Sequence, residues 1–148
     1  MNPRRTTLLA ALVAVAVVAA DQVTKALVRG SIEPGHEVRV LPGVHLVRAS
    51  NPGIAFSRLA NGGPLVVVIA VVALAALLAF FLTHLRRRLV WLPTGLLLGG
   101  AAGNLIDRLR EGAVTDFIKL PHWPAFNLAD TCITIGVLVL VYVLERVR

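Results

Sequence analysis

Gly95-Leu-Leu-Leu-Gly99-Gly-Ala-Ala-Gly103-Asn104-Leu-Ile-Asp107-Arg108 begins as an apolar segment and ends in ionisable groups. Gly95, Gly99, Gly103 and Asp107 recur every four residues, so on a helix they form one slowly drifting ridge. Small residues at that spacing let a neighbouring backbone approach closely, which is how helices pack in lipid. The ridge directs Asp107 towards protein rather than acyl chains. An ionisable group at membrane depth is costly and is a functional hypothesis by default. A packing ridge that ends at the interface in a hydrated Asp-Arg pair is the plainer reading of the same pattern.

The 148-residue chain is 57% hydrophobic, with a mean hydropathy of +0.79. An ordinary soluble domain is far less apolar. One membrane domain over residues 1–148, a small bundle with lipid on its outside, is the expectation. The net charge of +7 sits in short caps between apolar runs with almost no aromatic interleaving. Membrane orientation therefore explains it better than nucleic-acid binding. The single Cys132 excludes an internal disulfide and a cysteine metal cluster, and reads as a small packing residue.

Four spans follow, at about 8–28, 64–82, 89–106 and 127–144. The first, with its basic start and Val18-Ala19-Ala20, also has the form of a cleaved signal peptide. Its helical pattern continues through Asp21 to Val28, which favours a retained helix. Asp21 and Lys25 lie four apart and can pair on one face, as an interfacial pair with a snorkelling lysine or as a polar prop for a site. Residues 30–60 are of another kind: Pro34-Gly35 and Pro42-Gly43 signal turns around loosely alternating strands. They read as a small sheet or hairpin on one membrane surface, followed by the Asn51-Pro-Gly turn, with Phe56 as an interfacial anchor. The stretch 107–126 reads as an outer loop, with Val114–Phe117 and Pro121–Pro124 as surface segments.

Arg4, Arg5, Arg86, Arg87, Arg88, Arg146 and Arg148 fall on the side of the termini, against Glu145 alone. The other side carries eight cations against seven acids. The bias puts both termini in the cytoplasm and the sheet and loop outside. Asp107 ends the third span and Asp130 begins the fourth, so antiparallel helices bring both to the outer interface. Each follows an asparagine by three residues, Asn104 and Asn127, which shares its helix face. Two close carboxylates cannot both ionise easily; one can activate water while the protonated one supports a carbonyl oxygen. That is the constellation of an aspartyl protease.

Other chemistries fit less well. The sequence holds no HExxH, GxSxG or phosphate loop, and none of its four histidines has metal-ligand spacing. A Ser/Lys protease from Lys25 with Ser50 or Ser57 lacks an elbow or helix terminus to activate the serine. A small proton-coupled transporter using Asp107 and Asp130 is the alternative from another class, although such sites lie nearer the midplane. A non-catalytic scaffold is the third.

Five segments then make the chain resemble the lipoprotein signal peptidases (signal peptidase II), bacterial membrane aspartyl proteases that cut lipid-modified precursors. They are Asp21-Gln-Val-Thr-Lys25, Asn51-Pro-Gly53-Ile-Ala-Phe56, Gly100-Ala-Ala-Gly103-Asn104-Leu-Ile-Asp107-Arg108, Val114-Thr-Asp116-Phe117 and Phe126-Asn127-Leu-Ala129-Asp130. The resemblance implies a catalytic dyad of Asp107 and Asp130. It implies that Asp21, Lys25, Asn51, Gly53, Asn104, Arg108, Asn127 and Ala129 shape the site or hold substrate, with Asp116 bracing the outer loop. It further implies a monomeric multi-pass enzyme of the bacterial inner membrane, without metal or cofactor, its site near the outer face. Its partners would be diacylglyceryl-cysteine precursors and membrane lipids.

Overall fold

The computed structural model describes residues 2–53 and 62–145. Phe56 and Ser57, named above as an anchor and a possible nucleophile, lie outside them, as do Ala55, Arg146 and Arg148. Among the described residues the order is α1 (Pro3–Ser31), β1 (Glu37–Leu41), β2 (Val44–Asn51), α2 (Gly62–Thr83), α3 (Trp91–Glu111), β3 (Val114–Lys119) and α4 (Leu128–Glu145). α1 starts on Pro3, with the Asn2 side chain capping the Arg4 amide at 3.0 Å. At 29 residues it extends three residues beyond the expected Val28. α1, α4 and the Pro64–Thr83 part of α2 are long and apolar enough to cross a membrane. α3 carries Asn104, Asp107, Arg108, Arg110 and Glu111 in its C-terminal half and is not in that group.

α3 is the hub, packed on α1, α2, α4 and β3. Its glycines make this possible. A Cβ at Gly99 would lie 2.7 Å from Val17 Cβ and 2.8 Å from the Ala14 carbonyl oxygen; one at Gly103 would lie 2.6 Å from Asp21 Oδ2. The ridge therefore faces α1. One residue round the helix, Gly100 seats α4, where a Cβ would meet the Ala129 carbonyl oxygen at 2.6 Å. Facing outward, Leu8, Val15, Val72 and Leu138 are more than half exposed, as expected of surfaces that meet hydrocarbon.

The three strands form one antiparallel sheet in the order β1-β2-β3. The hairpin lies where turns and alternation put it. The third strand corrects the reading of 107–126 as loop. α3 runs on to Glu111, ending at Gly112 with φ 74°, and the chain then pairs with β2, Val114 opposite Asn51 and Asp116 opposite Ala49. Val114, Asp116 and Phe117 are buried rather than on the surface, because Phe117 packs with Val28 and Ile32 under the sheet. Pro121–Pro124 is exposed as expected, Trp123 at 65%.

Adding a methyl at the α1–α3 contact forces the helices apart. Gly99→Ala should cost about 1–3 kcal/mol and lower the thermal midpoint of the full chain in detergent. Gly30→Ala, where nothing lies within 4 Å, should leave the midpoint unchanged or slightly higher. Equal effects would contradict this packing.

Candidate active site

The C-terminal turns of α1 place Asp21, Gln22, Lys25 and Arg29 against α3. Lys25 is 0% exposed, which excludes a snorkelling lysine. Its Nζ lies 2.8 Å from Asp21 Oδ2, 3.1 Å from Asp107 Oδ2 and 3.0 Å from Asn104 Oδ1, using all three donors. The expected Asp21–Lys25 pair thus forms, and Asp107 completes it.

Asp107 is surrounded. Gln22 Nε2 donates to its Oδ1 at 2.9 Å, with Arg29 Nη1 3.9 Å away; Oδ2 accepts from the Thr115 backbone amide at 3.0 Å besides Lys25. Arg29 Nη1 also donates to Thr115 Oγ1 at 3.0 Å. The Asp107 side chain is 1% exposed. Two cations and two neutral donors compensate it fully.

Asp130 sits in a different setting. It is the third residue of α4, and its Oδ2 accepts from the Asn127 amide at 3.2 Å while Asn127 Oδ1 accepts from the Asp130 amide at 2.9 Å. This reciprocal pair is a capping box built from Asn and Asp. The Ala129 amide, another free donor of the helix start, reaches Asp21 Oδ1 at 3.0 Å. Asp130 Oδ1 accepts from Asn104 Nδ2 at 2.8 Å. Asp107 and Asp130 are thus linked through intermediaries, by Lys25 and Asn104 on one route and by Thr115 and Asn127 on another.

Asp116 reaches Asp130 through one residue, Asn127, whose Nδ2 donates to Asp116 Oδ1 at 2.8 Å and to Asn104 Oδ1 at 3.1 Å. Asp116 Oδ2 accepts from Asn51 Nδ2 at 2.9 Å. Asn51 is oriented in turn by its Oδ1, which accepts the Gly53 amide at 2.9 Å, with Gly53 at φ 86°. Burial pushes the Asp116 carboxyl above the ordinary carboxylate range. The nearby Asp130 charge pushes the same way, against the pull of Asn51, Asn127 and Lys25.

Arg108 stands at the edge. Its Nη1 is 3.4 Å from the Asn104 carbonyl oxygen, while its Nε is buried without a partner among the described residues. It lines an apolar cavity of about 470 Å³ with Pro52, Pro64, Val67, Val68 and Gly112. Ala129 contributes by smallness, fully buried where α4 meets Gly100. The expected residues thus come together in one network, with Arg108 and Gly53 at its rim. Sequence reasoning missed Gln22, Arg29 and the Thr115 amide. Arg29, four residues beyond Lys25 on the same helix face, carried a usable signal; the amide carried none.

The family described as signal peptidase (SPase) II matches residues 13–145. A lipoprotein signal peptidase of Moorella thermoacetica is 44% identical over 131 residues, 87% of each chain. One of Pseudomonas fluorescens is 45% identical over 137 residues, 84% of this chain and 79% of its own. Two solved structures described as a bacterial membrane enzyme superpose with TM-scores of 0.86 and 0.84, each at 34% identity. They cover 91% and 93% of this chain, and 91% and 87% of their own. Sequence and fold agree over nearly the whole length, and the chain belongs to the signal peptidase II family.

Proposed function

We propose that this protein is an aspartyl endopeptidase that removes signal peptides from lipid-modified precursor lipoproteins, cutting on the N-terminal side of the diacylglyceryl cysteine. Family membership supports lipoprotein signal-peptide cleavage. The observation that carries the mechanism is that Asn127 holds both Asp116 and Asp130. This reading keeps Asp130 from the expected dyad and moves the second role from Asp107 to Asp116. Asp107 is compensated by Lys25 and Arg29 and enclosed, which suits a brace. Among the described residues Asp116 has only amide donors in hydrogen-bond contact, and it is biased towards its protonated form, which suits a proton donor.

In the reaction, the Asp130 carboxylate takes a proton from water as the water oxygen attacks the scissile carbonyl carbon. The Asp116 proton passes to the carbonyl oxygen, giving a neutral tetrahedral diol. Collapse breaks the C–N bond, with a proton from Asp130 going to the cysteine nitrogen and one hydroxyl proton returning to Asp116. Arg108 and the cavity beside it are suited to a carbonyl group next to hydrocarbon.

The chain acts as one membrane domain over residues 1–148, monomeric, with α3 as the third of four spans. Both termini face the cytoplasm of a bacterial inner membrane and the site lies near the outer face. Its partners are precursor lipoproteins and membrane lipids, not nucleic acid, and it uses no metal or cofactor. A proton-coupled transporter gains no support, because the ionisable network sits at one end of the bundle.

In cleavage of a diacylglyceryl-modified precursor by purified full-length protein, Asp116→Asn and Asp130→Asn should each lose roughly a thousandfold in kcat with the fold retained. Asp107→Asn leaves Lys25 short of a partner. It should lose about 3–5 kcal/mol of stability, while the folded fraction stays more active than Asp116→Asn. The reverse pattern would return the second catalytic role to Asp107. No cleavage by the unaltered protein of a competent precursor would overturn the function.

The rate depends on protonated Asp116, so it should fall as pH rises through that group's raised pKa. Asn51→Ala removes a donor that favours the charged form and should move this alkaline limb to higher pH. A limb that stays in place or moves down would contradict the role given to Asp116.

A further inference from the structure

At the opposite end of the bundle, a notch of about 270 Å³ is lined by Pro3, Thr83, His84, Arg86 and Arg87, among others. Its geometry follows from a tight turn between α2 and α3. The His84 amide donates to the Phe81 carbonyl at 3.0 Å, Arg87 to His84 at 2.9 Å and Leu92 to Leu89 at 3.1 Å. Leu89 adopts φ 64°, the left-handed region that a branched side chain enters only under constraint. This fold sets Arg86 and Arg87 beside Pro3 at the start of α1; Arg88 follows in the turn, and Arg4 and Arg5 follow Pro3 in the chain.

None of these five guanidinium groups makes an ion pair or hydrogen bond with any described residue. His84 is fixed by stacking on Phe80, ring centroids 4.2 Å apart, and by Nδ1 lying 2.8 Å from the Phe80 carbonyl oxygen. Thr83 Oγ1 lies equally close to Nδ1, at 2.8 Å. Leu82 and Leu85 also line the notch. A cavity lined by both arginines and leucines, at the end of helices long enough to span a bilayer, matches an anionic headgroup whose chains continue into hydrocarbon.

We propose that this notch is a binding site for the phosphate group of an anionic phospholipid in the leaflet on this face. Arg86 and Arg87 hold the phosphate, and the leucines receive the start of the acyl chains. The inference rests on the membrane placement of α1 and α2 and not on the peptidase reaction. A built site saturates, whereas diffuse attraction between a basic cap and an anionic surface rises gradually with surface charge and salt.

The test is thermal unfolding of the full chain in neutral detergent, titrated with short-chain phosphatidylglycerol, phosphatidylcholine or inorganic phosphate. A ligand that binds only the folded form raises the midpoint in a saturable way. Phosphatidylglycerol should do so, and Arg86→Gln/Arg87→Gln should weaken its apparent affinity roughly thirtyfold. Arg110→Gln, at the far end of α3, should leave it unchanged, and so should cleavage in neutral detergent remain unchanged in the double variant. An equal rise with phosphatidylcholine, or an unaltered phosphatidylglycerol curve in the double variant, overturns the site. An equal rise with inorganic phosphate makes it a free-anion site and overturns the lipid assignment.

Discussion

The ammonium of Lys25 is the constraint on which the rest depends. A fully buried cation is tolerated only where each proton meets an acceptor. Here the three acceptors are Asp21, Asp107 and Asn104. The first lies on α1 itself and the other two on α3, so satisfying one charge fastens two helices. Asn104 then reaches Asp130 and Asn127 on the third partner, α4. The glycines of α3 are the structural counterpart of this electrostatics. Without a Cβ at Gly103, the Asp21 carboxylate can lie against the α3 backbone, at the distance Lys25 needs to touch both helices.

The carboxylates of the network divide by the kind of donor that faces them. Asp21 and Asp107 are met by cations, so their charge is compensated and their geometry fixed. Asp116 and Asp130 are met by amides of Asn51, Asn104 and Asn127. An amide fixes direction without cancelling charge, so burial is free to push the Asp116 carboxyl above the ordinary carboxylate range. The proposed division between a brace and a reacting pair rests on that difference, in one polar cluster at one end of an apolar bundle. The small sheet completes the arrangement, since β2 delivers Asn51, and β3 delivers Asp116 together with the amide that seats Asp107.

Much of this was legible in the chain. The four-residue glycine repeat announced a close helix contact, and the Asp21–Lys25 spacing announced a pair. Asn104, Asp107, Asn127 and Asp130 announced a polar site where two helices meet. The third strand was not legible, because Val114–Lys119 alternates too briefly to stand apart from a loop; its pairing with β2 is a long-range choice made by Phe117 burial. For the same reason the spacing did not show that Asp116 joins the polar network through Asn51 and Asn127. Asn127-x-x-Asp130 was read for its shared face, when its placement before an apolar run also marked a helix start. Which carboxylates face cations and which face amides depends on contacts between α1, α3 and β3 that no local spacing encodes.

The most direct test of the central claim is the titration of the carboxyl groups themselves. Carbon-13 NMR of the full chain labelled at aspartate side chains, assigned through single asparagine variants, reads each protonation separately. The account predicts that Asp116 titrates above the ordinary carboxylate range and that its midpoint falls in Asp130→Asn, where the neighbouring negative charge is gone. An Asp116 that titrates in the ordinary range and does not respond to Asp130→Asn would contradict it.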